Sequence, residues 1–149
     1  MGMDNTKPDL LIIDRNLKIK TNLNFLNLSN KRKTYIFTKS NNIKKIKILK
    51  KKKCKIIRIN KLENKNDFLT LLKKIFKLGK RRILIESGLI FLSKLLKLKL
   101  INELYIFKSN KNLNSKGYNN INIDKFKKYK LKVAVKVNLK NDKLFKVRA

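Results

Sequence analysis

The sequence predicts an α/β fold of the mainly parallel kind, with helices flanking a central sheet and an antiparallel hairpin at the C-terminal end. Three observations predict it. Short continuous apolar runs recur, such as Leu10-Leu11-Ile12-Ile13 and Ile83-Leu84-Ile85, as suits strands buried on both faces. Between them lie segments with apolar residues at helical spacing, clearest in Phe68, Leu71, Leu72, Ile75 and Phe76. Near the end, Leu131, Val133, Val135, Val137 and Leu139 alternate with polar or small residues, and a second short strand pattern follows an Asn-Asp turn.

Taken in order, residues 9–14 form the first predicted strand, ended by a turn at Arg15-Asn16. Residues 22–28 read as loop with one helical turn. Residues 34–38 (Thr-Tyr-Ile-Phe-Thr) form the second strand. Ser40 is placed to cap a helix over residues 41–51, with Ile43, Ile46 and Leu49 on one face. Residues 54–59 make the third strand. The helix over residues 66–78 is the clearest: Asn66 can cap it, Asp67 suits the positive end of its dipole, and Gly79 suits the left-handed residue beyond its end. Residues 82–86 (Arg-Ile-Leu-Ile-Glu) form a fourth strand, followed by a helix from Gly88 to about Leu98 and a fifth strand over residues 103–108. Residues 109–128 read as a polar loop around Gly117 with a short helical piece near Lys125. Residues 131–139 and 143–148 complete the hairpin.

Composition excludes several functions. The 149 residues suit one domain, and a hydrophobic fraction of 42% is enough for a core. No apolar run is long enough to span a membrane, and the polar start carries no secretory signal. One cysteine and no histidine exclude a disulfide framework, the usual zinc sites and a histidine-based triad; they fit a reducing, cytoplasmic setting, and no metal is expected. The net charge of +32 favours polyanions. Lysine is nonetheless spread along the whole chain beside abundant Asn and Ile, the residues that AT-rich coding favours. The charge is therefore read as composition on solvated faces, with nucleic acid bound only non-specifically. The run from Lys50 to Lys53 has no interleaved aromatics for base stacking, and reads as a helix end.

The segment Ile83-Leu84-Ile85-Glu86-Ser87-Gly88 is the likeliest carrier of chemistry by type: a strand that delivers a carboxylate to a sheet edge, a small turn, and a helix whose N–H groups attract anions. An ordinary βα unit with a capping turn reads equally well. Arg81 and Arg82 lie at the far end of the predicted strand, roughly 16 Å from Glu86 at about 3.3 Å per residue.

Three stretches carry a resemblance. Residues 7–19, which include Asp14 and Arg15, look like a strand ending in Asp; Glu86-Ser87-Gly88 looks like a Glu-Gly-Gly-Pro segment; Leu100-Ile101-Asn102-Glu103-Leu104-Tyr105-Ile106 looks like a Leu-Val-Asp-Glu-Leu turn and its strand. Together they resemble the C-terminal reductase domain of the bifunctional riboflavin-biosynthesis deaminase/reductase (RibD type), which has a dihydrofolate-reductase-like fold. Ser87 stands for the first glycine, Leu89 for the proline and Arg15 for a small polar residue, and residues 109–114 depart from the family's Ala-Pro-Lys-Leu-Leu-Gly.

The resemblance implies NADPH-dependent reduction of the ribosyl group of a 5-aminouracil ribosylamine phosphate to a ribityl group, by a homodimer without membrane attachment. Carried over, it makes Glu86 a substrate contact. It makes Arg15 and the segment Gly88, Leu89, Ile90, Phe91, Leu92, Ser93 and Lys94 cofactor contacts, and it names no catalytic residue. Arg15 reads otherwise as a solvated turn residue, Phe91 and Leu92 as core, and Lys94 as a surface lysine. A basic nucleic-acid-binding protein and a non-catalytic dimerisation fragment are the alternatives. The resemblance also places the chain's start partway into the family domain, with residues 1–7 as a linker or remnant and 8–149 as a shortened reductase domain. Little turnover is then expected of the chain alone.

Overall fold

The computed structural model describes residues 7–27, 32–109, 131 and 134–148. They fall into two compact units, Met1–Arg81 and Arg82–Ala149, each described by itself.

The first unit is a three-stranded parallel sheet with helices. Strands β1 (Leu10–Ile13), β2 (Thr34–Thr38) and β3 (Lys55–Arg58) lie side by side in that order. Leu10 stands opposite Thr34, and Tyr35 opposite Lys55. The short helix α1 (Asn24–Asn27) lies in the β1–β2 connection, α2 (Ile43–Lys51) joins β2 to β3, and α3 (Lys65–Lys77) follows β3. All five residues of β2 are buried, as expected of a central strand covered on both faces. On one side Ile36 packs with Leu17, Leu26, Leu49 and Cys54, and Ile12, Ile46 and Ile56 close around them. Helix α3 buries Phe68, Leu71 and Ile75, three of the five residues of its predicted stripe, whereas Phe76 is 62% exposed.

Each of the three longer helices ends in the same way. After α3, Gly79 N–H donates to Phe76 O and Lys80 N–H to Ile75 O, with Gly79 at φ +79°. After α2, Lys53 N–H donates to Lys50 O and Cys54 N–H to Leu49 O. After α4 (Leu89–Lys97), Lys99 N–H donates to Leu96 O and Leu100 N–H to Leu95 O. This paired bonding satisfies the last carbonyls and needs a left-handed residue. Lys53 (φ 60°) and Lys99 (φ 55°) take that conformation where glycine would be easier.

The second unit contains α4 and an antiparallel pair, β4 (Glu103–Lys108) with β5 (Lys143–Arg148). Leu104 faces Val147 and Ile106 faces Phe145, which puts the buried Leu104 and Phe145 on one face. The opposite face carries Glu103, Tyr105 and Lys146.

The fold is the mixed α/β type that the sequence predicts, with differences in particular elements. Residues 82–86 form no strand: they are exposed throughout, and no strand among the described residues pairs with them. An apolar run states a preference for burial, whereas a strand exists only where a neighbour supplies ladder hydrogen bonds. Among the described residues of 131–139 the alternation yields one bridge, Ala134 opposite Phe145, supported by Val135 N–H to Leu144 O. Along its length β5 pairs with β4, and among the described residues the predicted hairpin partner meets it at this bridge. Two caps also shift. Asn42 rather than Ser40 caps α2, its side chain accepting from Lys45 N–H, and Asn64 rather than Asn66 caps α3. In α3, Asn64 accepts from Asp67 N–H while the Asp67 carboxylate accepts from Asn64 N–H, a reciprocal pair that satisfies two otherwise orphaned donors. The predicted linker up to residue 6 and the polar loop from residue 110 to 128 lie outside the described residues.

Candidate functional site

In the first unit, chemistry-bearing residues gather at the carboxyl edge of the parallel sheet, where open α/β folds bind ligands. β1 runs into Asp14, whose carboxylate accepts from Lys18 N–H at 2.9 Å and Ile19 N–H at 2.7 Å. These bonds close the turn around Leu17, at φ 54°. Asp14 is thus committed to backbone geometry, which accounts for a strand that ends in Asp.

Arg15 follows. Its carbonyl accepts from Lys39 N–H at 3.0 Å and from Thr38 Oγ1 at 2.9 Å, which anchors it to the end of β2. Its Nη2 lies 3.9 Å from Glu63 Oε1, and its buried Nε has no hydrogen-bond partner among the described residues. A buried unpaired guanidinium nitrogen beside a half-exposed head is an unusual arrangement in a folded protein. The half-exposed head can meet an acceptor that approaches from outside, such as a phosphate oxygen.

Sequence reasoning missed the neighbours of Arg15 at this edge. Thr38 Oγ1 accepts from Ser40 N–H, and Ser40 Oγ accepts from Asn42 N–H, which leads the chain from β2 into α2. Arg58, at the end of β3, donates to Ser40 O, and Lys74 Nζ donates to Arg58 O at 2.6 Å. The available signal was positional: all three strands are parallel, so the residues after each apolar run share one edge.

The second unit holds the remaining expected residues. Glu86 is exposed and has no hydrogen-bond or ion-pair partner among the described residues. Ser87 Oγ donates to Gly88 O at 3.4 Å. Gly88 caps α4 without a side-chain bond, and its carbonyl accepts from Phe91 and Leu92 N–H, each at 3.1 Å. The N–H groups of Leu89 and Ile90 meet no acceptor among the described residues, so they are available to an anion. A Cβ built on Gly88 would meet nothing within 4 Å among the described residues. Phe91 and Leu92 are half-buried, Ser93 Oγ donates to Ile90 O at 3.1 Å, and Lys94 is half-buried in α4. A concavity of about 450 Å³ in this unit is lined by Leu131, residues 134–137 and 142–145, and contains none of the expected residues.

Among the described residues no cluster of His, Cys, Asp and Glu could hold a metal ion, and no helix is long and apolar enough to cross a membrane. Burial pushes the Cys54 thiol above its ordinary pKa, with the Lys52 charge opposing, so it lacks the thiolate character of a nucleophile.

No curated protein matches the chain. Residues 2–117 match the family described as the RibD C-terminal domain.

Proposed function

The chain belongs to the RibD C-terminal domain family, a reductase-type domain of riboflavin biosynthesis with a dihydrofolate-reductase-like fold, and on that premise we propose that it reduces a 5-aminouracil ribosylamine phosphate with NADPH. The observation that carries this reading is the match itself, which spans both described units from β1 to β4. A nicotinamide cofactor supplies the hydride when bound; the chain's own residues bind and orient.

Three features support the assignment of residues. In the first unit, Arg15 offers a half-exposed guanidinium at the sheet edge, suited to a cofactor phosphate such as the 2′-phosphate. In the second, the open N–H groups of Leu89 and Ile90 after Gly88 suit the dinucleotide phosphates, with residues up to Lys94 as the supporting turns. Glu86, with no partner among the described residues, is assigned to the polar substrate. Phe91 and Leu92 act there as packing residues that hold the helix start.

The protein is further proposed to act as a homodimer. Leu84 and Ile90 are 79% and 69% exposed, and a second copy would cover apolar surface of this kind.

Thermal denaturation with saturating NADPH, set against inorganic phosphate at equal ionic strength, tests the reading. A specific ligand raises the melting temperature through linkage, whereas a charge effect is matched by phosphate. Equal shifts with both would remove NADPH from the proposal. Loss of nicotinamide absorbance with the ribosylamine phosphate substrate then tests turnover.

A further inference from the structure

We propose that the exposed face of α2 and the turn after it form a docking surface for the phosphate backbone of duplex nucleic acid, independent of the reductase reading. The nine residues of α2 read Ile-Lys-Lys-Ile-Lys-Ile-Leu-Lys-Lys, with five lysines and no acid. Leu49 is buried and Ile46 half-buried against the core, which turns Lys44, Lys47, Lys50 and Lys51 outward. Lys53, exposed in the left-handed turn, extends the array.

None of these lysines has an acidic partner among the described residues, and the reason lies in the rest of the unit. Its four described carboxylates are all engaged elsewhere. Asp9 is paired with Lys80, and Asp14 closes its turn. Glu63 faces Arg15 and Lys61, and Asp67 caps α3. No described carboxylate therefore neutralises α2, and Lys47 repels Lys44, Lys50 and Lys51 at helical spacings of three and four, which destabilises an isolated helix. An ordered row of anions relieves that repulsion.

The density of the charge selects the partner. At a rise of about 1.5 Å per residue, Lys44 to Lys51 spans roughly 10 Å, so the four outward ammonium groups stand at about one per 3.5 Å. Each strand of duplex DNA carries about one phosphate charge per 3.4 Å of axis, a close match. No aromatic residue lies in α2, so the contact is to phosphates rather than stacked bases. Of its apolar residues, the well-exposed ones are Ile43 at 67% and Ile48 at 43%, too little to seat a helix in a bilayer interface.

The test is fluorescence anisotropy of the full chain with a short labelled DNA duplex of arbitrary sequence across a salt series. Lys44, Lys47, Lys50 and Lys51 are replaced together by Gln, which keeps helix propensity. A control replaces Lys65, Lys73, Lys77 and Lys97 in the same way. The α2 variant is expected to lose at least about tenfold in affinity at moderate salt, with the salt slope falling by about 3 to 4, at roughly 0.9 per lost phosphate contact. The control should stay within about twofold of the parent. Arg at the same four α2 positions should retain binding, and circular dichroism of each variant should show native helix content. Equal losses in both Gln variants would overturn the proposal in favour of diffuse charge. It would also be overturned if phosphatidylserine vesicles bound the α2 face and duplex failed to compete.

Discussion

Lys80 Nζ lies 2.5 Å from Asp9 Oδ2, so the residue before β1 is tied to the residue after Gly79 at the end of α3. The pair joins the two ends of the first unit's described chain. The hydrogen bond to Asp9 raises the Lys80 pKa above its ordinary 10.5; partial desolvation opposes it, and the charges of Asp9 and Tyr35 add to it. For a raised amine, the stabilisation is fully present below the unfolded pKa and is lost as pH rises through the folded one. Denaturant midpoints measured between neutral pH and strongly alkaline pH should therefore fall more steeply for the parent than for Lys80→Gln. Identical slopes would mean that the pair contributes nothing in solution. The effect should be small, since the ammonium is solvent-screened.

The second unit offers the acid-side counterpart. Lys146 Nζ lies 2.8 Å from Glu103 Oε1, and that bond holds the Glu103 carboxyl below its ordinary pKa, with Tyr105 OH and the charges of Lys146 and Arg82 assisting against desolvation. A depressed carboxyl stabilises above its unfolded pKa, and the contribution is lost as pH falls through the folded value. Glu103→Gln should flatten the acid limb of the stability profile and leave neutral stability little changed. Acid unfolding followed by near-ultraviolet circular dichroism checks this.

Lys53 and Lys99 hold the left-handed position that Gly79 holds after α3. Lys53→Gly and Lys99→Gly should each stabilise by about 0.5–1 kcal/mol, because the Cβ penalty outweighs the entropy that glycine adds to the unfolded chain. Gly79→Ala should destabilise by about 1 kcal/mol for the converse reason, although its Cβ would meet nothing within 4 Å. Urea unfolding of the three variants gives the signs directly.

Gly88→Val should weaken NADPH binding by at least about tenfold while costing about 1 kcal/mol or less in stability. The backbone there is at φ −62° and a Cβ would meet nothing within 4 Å among the described residues, so the fold tolerates the side chain. An approaching phosphate does not. Normal affinity would move the cofactor phosphates away from this helix start. Glu86→Gln should lower turnover or substrate affinity and spare cofactor affinity; unchanged kinetics would leave Glu86 as an exposed polar residue.

Cys54 should resist alkylation in the folded protein and react once it unfolds. It is 4% exposed, and burial raises its thiol pKa, so both access and thiolate are lacking. Iodoacetamide labelling across a denaturant series should track unfolding; fast labelling in native buffer would contradict the packing of Cys54 with Leu49 and Ile36.

Much of this chain is legible from residue type and spacing alone. The run Thr34–Thr38 defines the central strand, and the spacing of Phe68, Leu71 and Ile75 defines the buried stripe of α3. Gly79 marks a helix end because glycine alone takes a positive φ at little cost. Arg15 is placed at a strand end by the apolar run that precedes it. What the sequence leaves open are choices among partners. Asn64 and Asn66 are the same residue type, and only the reciprocal bonding with Asp67 selects the first. Ile83-Leu84-Ile85 has the composition of a strand, but no neighbour among the described residues offers it a ladder. Residues 131–139 have the alternation of one, but among the described residues they meet β5 at Ala134, while β5 pairs along its length with β4. The unpaired Nε of Arg15, and the Arg58–Ser40 contact at the same sheet edge, depend on three strands lying parallel in register. Periodicity is a property of one segment and records which side of it prefers burial. Pairing, capping and the polar environment of a site belong to two or more segments at once, and the tertiary structure settles them.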